Sequence, residues 1–153
     1  MNVKQFMTDG IEAVTAHDTI LNASRLMKKH NIGSVPVIDD TSHVIGILTD
    51  RDIVVRALAD ILSMNTKVEE IMTQPVYTIK EEEEIGYAIS LMADKQVRRL
   101  PVTDNDGQLV GMITLGDLAI HQLTDGRAEI ALKEISEPST NPNCDLEVDD
   151  FPL

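Results

Sequence analysis

The 153 residues carry 26 acidic and 13 basic side chains, a formal charge of −13, so nucleic-acid phosphates and anionic membranes repel the chain and neither is an expected partner. A single cysteine, Cys144, excludes a disulfide framework within the chain, and no apolar run approaches the ~20 residues that a spanning helix needs. The opening MNVKQFMTDG has no apolar signal core, and these features together predict a cytoplasmic protein.

In chain order, a short piece over 3–8 leads to a predicted strand at 13–15. A helix follows, with Asp18 as the expected N-cap. Ile20, Ala23, Leu26 and Met27 form its apolar stripe at helical spacing, and His30 extends the same face. Two strands are predicted at 34–38 and 44–48, joined by the polar turn DDTSH, and a helix over 50–59 closes the unit. After a polar linker over 60–67, the same layout recurs. It gives a strand at 76–79, then a helix carrying Ile85, Ala88, Leu91 and Met92, with Glu81–Glu84 at its positive dipole end. Strands at 99–103 and 109–114 follow, joined by the hairpin turn DNDG, and then a helix over 115–123. A short helix over 126–135 and an acidic, proline-containing tail are expected at the end, the tail flexible.

The recurrence is a true repeat. Residues 3–58 lie on 68–123 at a constant offset of 65, with 14 identities in 56 positions and no gap. Each copy alone is too short to bury its apolar surface well. The expected fold is therefore α/β, two β-α-β-β-α units packed with pseudo-twofold symmetry. The first unit is placed at 1–61, the second at 62–125, and the short helix and tail at 126–153. With two Phe, two Tyr and no Trp, the core must be Ile, Val, Leu, Met and Ala. The seven methionines then serve mainly as core filler.

Each copy presents an M-T start, an x-x-P-V-h-D strand and a G-h-h-T-x-x-D element opening a helix. The first copy reads VKQFMT, IGSVPVID and VIGILTDRDIVVRAL; the second reads VEEIMT, VRRLPVTD and LVGMITLGDLAIHQL. The ordered set, given twice, resembles a tandem pair of CBS domains, above all the small stand-alone bacterial kind. The resemblance covers nearly all of residues 1–125. It implies a binding module rather than a catalyst, taking an adenine nucleotide (AMP, ADP or ATP, or NAD or S-adenosylmethionine) between the copies. It also implies a homodimer that signals to a separate effector protein.

The T-x-x-D elements have a physical rationale. Thr49 and Thr114 stand at helix starts, where free N–H groups and the dipole favour a phosphate. Asp52 and Asp117 can accept from two ribose hydroxyls, as the acidic residue of dinucleotide folds does. The plainer reading of both pairs is helix capping; the family resemblance favours the ligand role for Asp52 and Asp117. Arg51, Arg98 and Arg99 are the candidate phosphate partners, through the guanidinium fork. Gly33 and Ser34 stand in the first copy where Arg98 and Arg99 stand in the second, so the two sites should be unequal. Val35-Pro36 and Leu100-Pro101 are expected to floor the adenine slot. Backbone near Thr15-Ala16 and Thr78-Ile79 is expected opposite them. His17, His30, His43 and His121 lack metal-ligand spacing, and no nucleophile–base pair is recognisable. The expected function is an adenine-nucleotide sensor without catalytic activity. The alternative is a constitutive dimerisation or scaffold protein with a vestigial cleft.

Overall fold

The computed structural model describes residues 1–120. The helix expected at 126–135, the tail, His121 and Leu123 lie outside them. The elements are β1 (Thr8–Asp9), β2 (Val14–Thr15), α1 (Ile20–His30), β3 (Ser34–Ile38), β4 (Val44–Thr49) and α2 (Asp50–Asp52), which runs on as a π-helical turn (Ile53–Leu58). Then come β5 (Ile79–Lys80), α3 (Ile85–Lys95), β6 (Arg99–Thr103), β7 (Leu109–Thr114) and α4 (Leu115–Ile120). One sheet has the order β2-β3-β4 and the other β1-β7-β6-β5. Within each, a short parallel strand precedes an antiparallel hairpin, with matching registers such as Val37↔Gly46 and Val102↔Gly111.

The helices begin and end for local reasons. Thr19, not Asp18, caps α1, its hydroxyl accepting from the Asn22 N–H at 3.2 Å. The Asp18 carboxylate instead turns back to the Thr15 N–H and hydroxyl, at 2.8 and 3.2 Å. Thr19 has the extended backbone that a cap requires, and Asp18 satisfies the turn before it. Asn31 and Gln96 end α1 and α3 in the left-handed region, at φ 52° and 55°. The Ile32 and Val97 N–H groups then reach back to the Met27 and Met92 carbonyls, each at 3.0 Å, the Schellman arrangement. In the first hairpin turn the Asp39 carboxylate accepts from the Thr41 hydroxyl, the His43 N–H and the Thr41 N–H. These bonds, that of the hydroxyl first, hold its carboxyl below the ordinary value.

The two copies trade their first residues. Val3 and Phe6 lie in the core formed by Ile79, Ile85, Met92, Leu100, Ile113 and Leu118. Val68, Ile71 and Met72 lie in the core formed by Val14, Ile20, Val35, Val37 and Leu48. The exchange obeys the 65-residue offset bond by bond. Ile20 N–H donates to the Thr66 carbonyl at 3.0 Å, and Ile85 N–H to that of Met1 at 3.1 Å. Val68 N–H donates to the Asp18 carbonyl and Val3 N–H to that of Glu83, both at 2.9 Å. On the symmetry axis equivalent residues meet each other: Arg99 donates to the Ser34 hydroxyl, and His43 forms a bridge with Gln108.

Gly46 and Gly111 make the exchange possible. A Cβ at Gly46 would stand 2.6 Å from the Met72 sulfur, and one at Gly111 would stand 2.7 Å from the Thr8 carbonyl oxygen. The M-T segment of each copy thus lies across the glycine of the other. That is a physical reason for both identities within the repeat. Among the described residues no helix is long and apolar enough to cross a membrane.

Candidate functional site

The exchange builds a cavity of about 440 Å³ at the junction of the copies. One wall comes from β1 and the segment after it: Thr8, Asp9, Gly10, Ile11 and Glu12. A second comes from the end of α1 and the start of β3: His30, Ile32, Gly33, Ser34 and Pro36. The third belongs to the second copy: Arg99, Met112, Thr114 and Asp117. Ile32, Pro36 and Met112 offer an apolar surface; Arg99 and Asp117 offer opposite charges. The Arg99 guanidinium is held in place by its bond to the buried Ser34 hydroxyl.

Both T-x-x-D elements form reciprocal caps. The Asp52 N–H donates to the Thr49 hydroxyl at 3.0 Å, and the Thr49 N–H donates to the Asp52 carboxylate at 2.9 Å. The Asp117 N–H donates to the Thr114 hydroxyl at 3.2 Å, and the Thr114 N–H and hydroxyl both donate to Asp117 Oδ2, at 2.8 and 2.7 Å. The two aspartates then differ. Asp52 is buried, and both its oxygens lie within 3.1 Å of the Thr73 hydroxyl. Arg56 approaches Oδ1 at 3.8 Å, and its guanidinium also donates to the Ile71 and Met72 carbonyls. Asp117 is half-buried and lines the cavity, and among the described residues no donor meets its Oδ1. Thr8, the counterpart of Thr73, is exposed and makes no bond to Asp117.

Of the residues expected to hold the nucleotide, Ser34, Pro36, Arg99, Thr114 and Asp117 come together in this cavity. The others do not line it. Thr49 and Asp52 stand at the symmetry-related place, where Asp52 accepts from the Thr73 hydroxyl. Val35, Leu100 and Pro101 are fully buried, Val35 and Leu100 within the two cores. Thr15 is engaged with Asp18, with Ala16 packed beside the first core. Arg51, Arg98 and Thr78 are exposed and are not in its lining. Asp9, Gly10, Ile11, Glu12, Ile32 and Met112 had no signature of their own in the sequence. The signal available was the Met7/Met72 and Gly46/Gly111 identities, which mark where one copy crosses the other. His30, which extends the apolar stripe of α1, lines the cavity, with Nε2 3.5 Å from a Glu12 oxygen.

The sequence pattern that defines the CBS domain matches residues 3–58 and 68–123. The chain belongs to the CBS-domain family. It is 39% identical over 135 residues to the CBS domain-containing protein YhcV of Bacillus subtilis, covering 88% of this chain and 95% of YhcV. Its fold is similar to that of the CBS domain pair of protein MJ0100 in complex with 5′-methylthioadenosine and S-adenosyl-L-methionine. That likeness has a TM-score of 0.67 and 31% identity, and covers 79% of this chain and 94% of that one. The structure of CBSX2 in complex with AMP is similar too, with TM-score 0.67 and 27% identity over 86% of this chain and 98% of CBSX2. Among the described residues no group of three or more His, Cys, Asp or Glu side chains is placed to hold a metal ion.

Proposed function

We propose that this CBS pair is a regulatory module that binds an adenine nucleotide in the cavity and relays its occupancy to a separate effector protein. The observation that carries the reading is Asp117 Oδ1. It is an acceptor without a donor among the described residues, in a cavity with an apolar side at Ile32, Pro36 and Met112. A ribose diol supplies the missing donors, and an adenine ring fills the apolar side. The AMP complex of CBSX2 and the adenosyl complexes of the MJ0100 pair support the ligand class. AMP, ADP, ATP, NAD and S-adenosylmethionine all carry these two parts. No covalent step is assigned to any residue.

The relay is a population shift. Ligand bridges β1, β3 and α4, which belong to different copies, and so favours one setting of the copies over others. The surface that reads this setting is proposed to be that of a homodimer and its effector. The test is a thermal-shift series with AMP, ADP, ATP, NAD and S-adenosylmethionine. A ligand at 100 times its Kd stabilises by about 2.7 kcal/mol. For a chain of this size that raises Tm by roughly 5–10 °C. A flat response to every one of them at millimolar concentration sinks the reading and leaves the scaffold alternative standing.

A further inference from the structure

The repeat offset makes a comparison possible between the cavity and its symmetry-related counterpart. Asp9 and Glu12 of the cavity wall correspond to Gln74 and Tyr77. His30 corresponds to Lys95, and Gly33 to Arg98. Every one of these exchanges makes the cavity more negative than its counterpart. With Asp117 the cavity holds three carboxylates. Against them stand Arg99, already committed to the Ser34 hydroxyl, and His30, beside Glu12 at 3.5 Å. Arg51 and Arg98, the other arginines expected to meet phosphate, are not in the lining.

We infer that the cavity selects adenosine derivatives whose 5′ substituent is uncharged or cationic over those that carry a polyphosphate. This rests on the reading that the cavity binds an adenosine compound, and narrows it. The cause is Coulombic. A triphosphate brings several negative charges into a space of about 440 Å³ that also holds Asp9, Glu12 and Asp117. Partial exclusion of water strengthens the repulsion relative to bulk solvent. An uncharged arm escapes it, and a sulfonium or ammonium arm is attracted.

The experiment is isothermal calorimetry at low salt with 5′-methylthioadenosine, S-adenosylmethionine, AMP and ATP. It uses the wild-type chain and the double variant Asp9→Asn/Glu12→Gln. Both side chains are exposed on the cavity wall, so the variant keeps its fold. The wild type should bind 5′-methylthioadenosine and S-adenosylmethionine at least about tenfold more tightly than ATP. The gap should narrow as salt is raised. The double variant should bind ATP about fivefold or more better while 5′-methylthioadenosine changes less than about twofold. ATP binding as tightly as 5′-methylthioadenosine in the wild type, or a preference unmoved by the double variant, overturns the inference and leaves the adenosine site itself intact. Binding of none of the four overturns the adenosine site and the inference with it.

Discussion

Asp52 and Asp117 occupy the same position in two copies of one motif, yet their surroundings give them different work. Asp52 is buried and surrounded by the Thr49 N–H, the Thr73 hydroxyl and Arg56, so its carboxylate ties α2 to the crossing segment. Removing it leaves those donors without their acceptor. Asp52→Ala should lower stability by about 1–3 kcal/mol, read from the urea midpoint at unchanged m-value. Asp117 satisfies its cap with one oxygen and presents the other to the cavity. Asp117→Ala should cost about 1 kcal/mol of stability, the scale of a lost cap. It should also cost about 1.5–3 kcal/mol of binding, the value of hydrogen bonds to a charged acceptor. In calorimetry that is a drop of about 10- to 150-fold in affinity. If Asp52→Ala weakened ligand binding as much as Asp117→Ala, the burial difference between the two would have no bearing on the site.

At the scale of elements, the crossing of one copy over the other decides the shape of the cavity. β1 lies against β7 with the Thr8 carbonyl oxygen 2.7 Å from where a Gly111 Cβ would stand. That atom belongs to the backbone and cannot swing away. Gly111→Ala should therefore push β1 off β7, at about 1–3 kcal/mol, and weaken ligand binding, because the Thr8 backbone that shapes this wall moves with it. At Gly46 the nearest atom is the sulfur of a flexible methionine, so Gly46→Ala should cost less. Paired denaturation curves that placed Gly46→Ala below Gly111→Ala in stability would contradict this account. The same contrast shows what the sequence could reveal. The hairpins, the α1 and α3 stripes and the T-x-x-D turns depend on near neighbours, and their periodicity and turn residues were legible. Asp18 and Thr19 are both good cap residues; Thr19 takes the cap on an extended backbone, while Asp18 accepts from Thr15. The two-residue strand β1 has no periodicity to read, since its pairing is set by Gly111 more than a hundred residues away. For that reason nothing local in the sequence marks Asp9 and Glu12 as cavity residues, or Thr73 as the donor to Asp52.

For the whole molecule, the apolar residues left outside both cores set the next expectation. Val54, Val55 and Leu58 in the π-helical turn are exposed, as are Ile61, Leu62 and Met64 just after it, with Leu58 and Ile61 at 70% and 90%. Leu118, by contrast, packs fully into the second core. A run of exposed apolar side chains of this kind is an expected contact surface, and a second copy of this chain is the proposed occupant. Light scattering at micromolar concentration should give about twice the 16.9 kDa of the chain. Leu58→Glu/Ile61→Glu should return the mass to that of one chain, with far-UV circular dichroism unchanged because neither side chain belongs to a core. A wild type that stays at 16.9 kDa rejects the homodimer. The cavity is built within one chain, so the monomeric variant should keep its ligand affinity within about twofold. What it should lose is any dependence of the assembly on ligand, because the surface that reads the setting of the copies has been removed. Retained affinity with lost response separates binding from relay. Loss of both would mean that the second copy of the chain helps to form the site.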